Sequence, residues 1–100
     1  MKKIVNDKLY DTNKATIIFE FRKKLKGEDC WFKKGYAFYY WTDAQVYKTS
    51  KGNYFYHYNA KEEYNEIIEP TTLDNVKKLI KILNPDKYIE LFGVNDIEEA

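Results

Sequence analysis

Apolar positions in the first sixty residues recur mostly at a period of two. Thr16 to Arg22 alternates, with Ile17, Phe19 and Phe21 on one face and Thr16, Ile18, Glu20 and Arg22 on the other, which predicts a strand. Tyr36 to Trp41, Ala44 to Thr49 and Tyr54 to Tyr58 read as three more strands, with a turn at Thr42-Asp43 between the first two. Ser50-Lys51-Gly52-Asn53 joins the last two as a hairpin, its glycine supplying the left-handed residue such a loop needs. In the second arm of that hairpin Tyr54, Tyr56 and Tyr58 share a face, and Phe55 and His57 lie opposite. Near the start, Ile4-Val5 and Leu9-Tyr10 flank Asn6-Asp7, predicting a tight hairpin over residues 3–10 whose two turn residues tolerate positive φ. Asp11-Thr12-Asn13 is a second turn cluster. Between residues 23 and 35 the alternation breaks, and the stretch reads as a polar loop with a short strand near Trp31.

The period changes after residue 60. Residues 61–66 form a polar connector, about one helical turn, leading to Ile67-Ile68-Glu69-Pro70. Thr71 or Thr72 is placed to cap a helix, and Asp74 favours its positive end. Leu73, Val76, Leu79, Ile80 and Leu83 recur at three- and four-residue spacing, an apolar stripe to lay on a sheet. Asn84-Pro85 ends that helix and starts another, whose apolar side is Tyr88, Ile89, Leu91 and Phe92 and whose stop is Gly93. Strands first and helices last predict an α+β fold: a twisted antiparallel sheet of about five or six strands covered by two C-terminal helices. The layout is one domain over residues 1–100, with a sheet region at 3–58, a helical region at 71–93 and a frayed tail at 94–100.

Composition sharpens this picture in three ways. Aromatic residues make up 18% of the chain, ten of them Tyr, which favours half-buried pleated surfaces and binding faces alike. The net charge of +1 conceals an asymmetry. Residues 1–60 carry twelve Lys/Arg against six Asp/Glu, a net +6, whereas residues 61–100 carry five against ten, a net −5. A basic front and an acidic back orient a domain on an anionic partner such as RNA. Cys30 is the only cysteine, so no internal disulfide forms, which fits a reducing cytoplasm, and no apolar run approaches a membrane span or signal-peptide core. The wealth of Lys, Asn, Ile, Tyr and Glu suggests an AT-rich bacterial or phage genome.

Catalysis needs a nucleophile, a base or a metal cluster, and the chain supplies little of any. His57 is the only histidine and sits in a strand of aromatics, where a packed or cross-strand role is the usual outcome. Nearby lysines would lower the pKa of Cys30, but no His or second Cys stands at a recognisable spacing from it. One Cys and one His cannot make a structural zinc site. The acidic pairs Glu28-Asp29, Glu62-Glu63 and Glu98-Glu99 lie in charged surface runs, and Gly27, Gly35, Gly52 and Gly93 are isolated rather than a phosphate loop. We therefore expect no enzyme, no cofactor and no metal. What remains is a binding face, in which Arg22, Lys23, Lys24, Lys26, Lys33 and Lys34 surround Trp31, Phe32, Tyr36, Tyr39, Tyr40 and Trp41. Cations interleaved with stackable rings suit single-stranded nucleic acid or structured RNA, and the same set suits a protein interface.

Four landmarks resemble a family of small proteins from phages and integrative elements of Gram-positive bacteria. The start Lys3-Ile4-Val5-Asn6-Asp7-Lys8-Leu9-Tyr10-Asp11-Thr12 is similar to that family's Lys-Ile-Ile-Asn-Gly-Lys-x-Tyr-Asp-Thr. Val46 to Phe55 resembles its Leu-Tyr-x-Thr-x-x-Gly-x-Tyr-Phe hairpin. Ile67-Ile68-Glu69-Pro70 and residues 86–93 echo its helix entry and its Asp-x-Tyr-x-x-x-Phe-Gly close. These are fold-making residues, so the resemblance implies a shared fold more than a shared activity. Its usual glycine-rich stretch is replaced here by residues 59–64, and the aromatic segment 36–41 has no counterpart. Some members act as anti-CRISPR proteins against Cas9-type effectors. The resemblance thus implies a non-catalytic inhibitor in the cytoplasm of a bacterial host, binding a Cas9-type effector or its guide RNA complex, with no membrane partner and with a homodimer as a further arrangement. The alternatives from other classes are a general RNA- or single-stranded-DNA-binding accessory protein and a mobile-element nuclease that trims guide RNA.

Overall fold

The computed structural model describes residues 1–29, 36–59, 66–95, 97 and 98, and of residues 26–29 and 36–38 the backbone alone. The chain is α+β. Six strands, β1 (Lys2–Val5), β2 (Lys8–Asp11), β3 (Thr16–Asp29), β4 (Tyr36–Lys48), β5 (Tyr54–Asn59) and β6 (Glu66–Thr71), precede two helices, α1 (Leu73–Leu83) and α2 (Pro85–Phe92). Strands β3 to β6 form an antiparallel meander in the order β3-β4-β5-β6, while β1 and β2 pair only with each other. The predicted single sheet is therefore two sheets. The smaller packs on the face of the larger that the helices leave open, with Tyr10, Phe55 and Ile68 buried at the junction.

Turn and cap chemistry explains where most elements begin and end. Asn6 and Asp7 take φ of 51° and 62°, the pair of left-handed residues that a two-residue hairpin turn requires. Gly52 at φ 81° closes the β4–β5 loop, where Thr49 and Asn53 complete the turn through Asn53 O accepting from Thr49 N at 2.8 Å. Thr72 is the cap of α1, its hydroxyl accepting from Asn75 N at 3.2 Å. Asn84 ends α1 and caps α2, its side-chain oxygen accepting from Lys87 N at 3.1 Å, with Pro85 in the first turn.

Alternate residues of β5 serve two cores. Tyr54 faces the helices in a cluster with Phe19, Val46, Val76, Ile80 and Tyr88, around which Phe21, Tyr56, Leu79, Leu91 and Phe92 pack. Phe55 faces the β1–β2 hairpin, stacked on Tyr47 at 4.9 Å and met edge-on by Tyr10 at 5.6 Å. The α1 stripe is buried at Val76 and Ile80, whereas Leu73 and Leu83 at its ends are exposed, as is Ile89 of α2. No described helix is long and apolar enough to cross a membrane. After Phe92 the described residues hold a short turn in which Val94 O accepts from Ile97 N at 3.0 Å.

Four local expectations are corrected. Strand β3 continues to Asp29, so residues 23–29 are strand rather than loop, held by pairing with β4 from Thr42 to Tyr36. Strand β4 runs unbroken through Thr42 and Asp43, because both are paired with β3, to Lys23 and Arg22. The register shifts between Ile17 and Phe19, a bulge that puts Ile17 opposite Tyr47 and lets Ile18 join Phe19 against the helix-side core. Residues 66–71, read only as the lead into the helix, are also an edge strand; Pro70 is tolerated there because an edge position needs no donor on its outer side. The short strand expected near Trp31 and residues 61–65 of the expected connector lie outside the described residues, and Glu66, the connector's last residue, opens β6.

Tyr88 is fully buried, and among the described residues its hydroxyl has no hydrogen-bond partner. Removing a buried, unsatisfied hydroxyl without changing the ring removes a desolvation cost of about 1–3 kcal/mol. Tyr88→Phe is therefore expected to raise the thermal midpoint, and a lowered midpoint in a circular-dichroism melt would reveal a bond for that hydroxyl.

Candidate binding arm

Pairing between β4 and β5 stops at Ala44, which faces Tyr58. Beyond it, residues 22–29 and 36–43 run on as a two-stranded ribbon of eight residue pairs, Arg22 with Asp43 through Asp29 with Tyr36. At about 3.3 Å per residue the ribbon reaches about 26 Å past the four-stranded sheet, a large part of the 52 Å long axis of the molecule. Thr42 Oγ1 donates to Asn59 O at 2.9 Å and ties the base of the ribbon to the end of β5. None of the ribbon side chains that are described is buried.

Strand alternation sorts those side chains onto two faces. Arg22, Lys24, Tyr39, Trp41 and Asp43 share one face, with Lys24 directly opposite Trp41. Tyr39 is 60% exposed and Trp41 57%, much the most open rings among the described residues. Lys24 Nζ lies 4.6 Å from the Tyr39 ring centroid, a cation–π contact. Arg22 Nε and Asp43 Oδ1 are 3.3 Å apart with both side chains largely exposed, so the pair adds at most about 1 kcal/mol to stability and serves mainly to hold the guanidinium in place. The other face carries Lys23, Leu25, Tyr40 and Thr42, all half-buried, with Lys23 Nζ 5.2 Å from the ring of Tyr58.

Of the residues predicted to bind, the fold thus brings Arg22, Lys24, Tyr39 and Trp41 together and sends Lys23 to the opposite face. Lys26 pairs with Tyr39 and Tyr36 with Asp29 in the ladder, their side chains being outside the described set. Trp31, Phe32, Lys33 and Lys34, with Cys30, lie outside the described residues. Sequence reasoning missed Asp43, read as a turn residue; the signal that finds it is the strand register, which sets it against Arg22.

His57 is held by its neighbours. Its Nδ1 is 2.8 Å from Oε1 of its cross-strand partner Gln45, and its Nε2 is 3.0 Å from Glu66 Oε1 on β6. Among the described residues no three His, Cys, Asp or Glu side chains come together where they could hold one metal ion. Two phenols bordering these surfaces are perturbed. Burial, then Glu20 and Glu66, push the Tyr47 hydroxyl above its ordinary 10.0; burial, then Glu69 and Tyr40, do the same for Tyr58.

Comparison with protein families, curated proteins and solved structures finds no match to this chain.

The two raised phenols make the fold sensitive to alkali. An unfolded tyrosine ionises near pH 10 and a folded one later, so their contribution is complete below about pH 10 and is lost as pH rises through the folded values. The urea midpoint is expected to fall as pH rises above about 10, and to fall less steeply in a Tyr47→Phe, Tyr58→Phe double variant. Parallel slopes for the two proteins would show that neither phenol is responsible.

Proposed function

We propose that this chain is a non-catalytic inhibitor that binds a Cas9-type CRISPR effector, or that effector with its guide RNA, and that it does so through the β3–β4 ribbon. The observation that carries the reading is the ribbon itself: it extends past both cores and presents two open rings and two cations on one face. A ribbon none of whose described side chains is buried contributes little to the stability of the domain, and isolated two-stranded ribbons are marginal in water. Large exposed aromatics with Arg beside them are the usual anchors of an interface. The class of partner comes from the resemblance to mobile-element proteins, some of which are anti-CRISPR proteins. Inhibition by occupying the channel for guide or target fits a ribbon that presents Arg22 and Lys24 beside two open rings; mimicry of DNA does not fit a chain of net charge +1, because it needs a densely acidic surface.

The purified chain is expected to co-elute with a Cas9-type effector at moderate salt and to relieve plasmid interference in cells. Replacing Tyr39 and Trp41 together by Ala should abolish both effects while leaving the circular-dichroism spectrum and melting midpoint close to wild type. If the wild-type chain neither co-elutes with nor inhibits any of several such effectors, the proposal fails. If inhibition survives the double substitution, the ribbon is not the contact.

A further inference from the structure

We infer that the exposed face of the ribbon is a single-stranded nucleic-acid strip, with Trp41 and Tyr39 taking bases and Arg22 and Lys24 taking phosphates. The identity of the strand as the effector's guide rests on the proposed function; the chemistry of the strip does not.

Spacing carries the argument. Trp41 and Tyr39 are two residues apart on one strand face, so their side chains start about 6.6 Å apart along β4. Stacked bases in a nucleic acid are about 3.4 Å apart. The two side chains thus leave the strand about two stacking distances apart, a spacing that matches one base held between two rings. A base can enter only if its faces are uncovered, which excludes a duplex, where each base is already stacked between its neighbours and offers edges alone.

Charge points the same way. By alternation this face of the ribbon carries Arg22, Lys24 and Lys26 against two acids, Glu28 and Asp43; Asp43 is paired with Arg22, and that pair is exposed and weak. Among the described residues Lys24, opposite Trp41, has no carboxylate partner; its ammonium rests over the Tyr39 ring instead. A base stacking on Tyr39 competes for that ring, and the phosphate across the sugar from that base gives the ammonium a stronger partner. The cations run along β3 and the rings along β4, so the strand lies lengthwise on the ribbon with its backbone over β3 and its bases over β4.

The test is binding of fluorescently labelled short oligo(dT) and oligo(U), and of a duplex of equal length, to the full chain across a range of salt. Both single strands are expected to bind better than the duplex, and a preference between them separates DNA from RNA as the natural ligand. Trp41→Ala and Tyr39→Ala should each weaken binding by about 5- to 150-fold, the range for one lost stacked base, while Trp41→Phe loses less. Lys24→Met should reduce the slope of log affinity against log salt by about 0.7. Equal or tighter binding to duplex, or unchanged affinity in folded Trp41→Ala and Tyr39→Ala proteins, overturns the inference. An effector inhibited through the ribbon by a chain that binds neither oligonucleotide would overturn it too and leave the inhibitor reading standing. Binding that follows the expected pattern without inhibition of any effector would do the reverse.

Discussion

The arrangement of the molecule depends on Phe55. Its ring is fully buried, stacked almost parallel on Tyr47, with the edge of Tyr10 against it, while the next residues in the strand, Tyr54 and Tyr56, face the opposite way into the helices. A strand covered on both faces fixes two layers at once. The β1–β2 hairpin could not bury its apolar side alone, since an isolated hairpin is marginal in water; it is held through Tyr10 and Val5 on Phe55 and Ile68, and by Lys3 Nζ donating to Ile68 O at 3.2 Å. On the other side Val76 and Ile80 of α1 and Tyr88 of α2 complete the cluster with Phe19, Val46 and Tyr54.

Because burial concentrates around β5 and its neighbours, the described side chains at the paired ends of β3 and β4 lie outside both cores. They hold their shape through the ladder between them and through cross-strand pairs: Arg22 with Asp43, Lys24 beside Tyr39, Lys23 on Tyr58. Each is worth a fraction of a kilocalorie to about 1 kcal/mol. The bulge at Ile17–Phe19 sits at the foot of β3, where an extra residue increases the local twist.

Much of this was legible in the sequence. The Asn6-Asp7 turn, the Gly52 hairpin, the Thr72 and Asn84 caps and the alternation of Tyr54 to Tyr58 are local signals, and local chemistry decides them. The ribbon was misread because the signal for a strand is one buried face. Lys23, Lys24, Lys26 and Gly27 through Asp29 show no such face and are poor strand formers, so only pairing with residues 36–42 makes them one. Pro70 suggested a helix entry, and the edge position that excuses it is a tertiary fact. The binding residues were legible as types, a mixture of cations and rings. Their sorting was not, since it takes the register to place Arg22 and Lys24 with Trp41 and Lys23 behind them.

The separation between ribbon and core has a consequence for how such a protein changes over generations. Substitutions in a core disturb packing on several sides at once, and most of them cost stability. Along the ribbon Lys24, Tyr39 and Trp41 are exposed, so they are free to drift with little penalty in folding. A lineage facing a partner that itself mutates can therefore rewrite its contact surface one residue at a time on an unchanged scaffold. The ribbon is the part of the chain where relatives should diverge fastest, and Phe55 and its neighbours the part where they should diverge least.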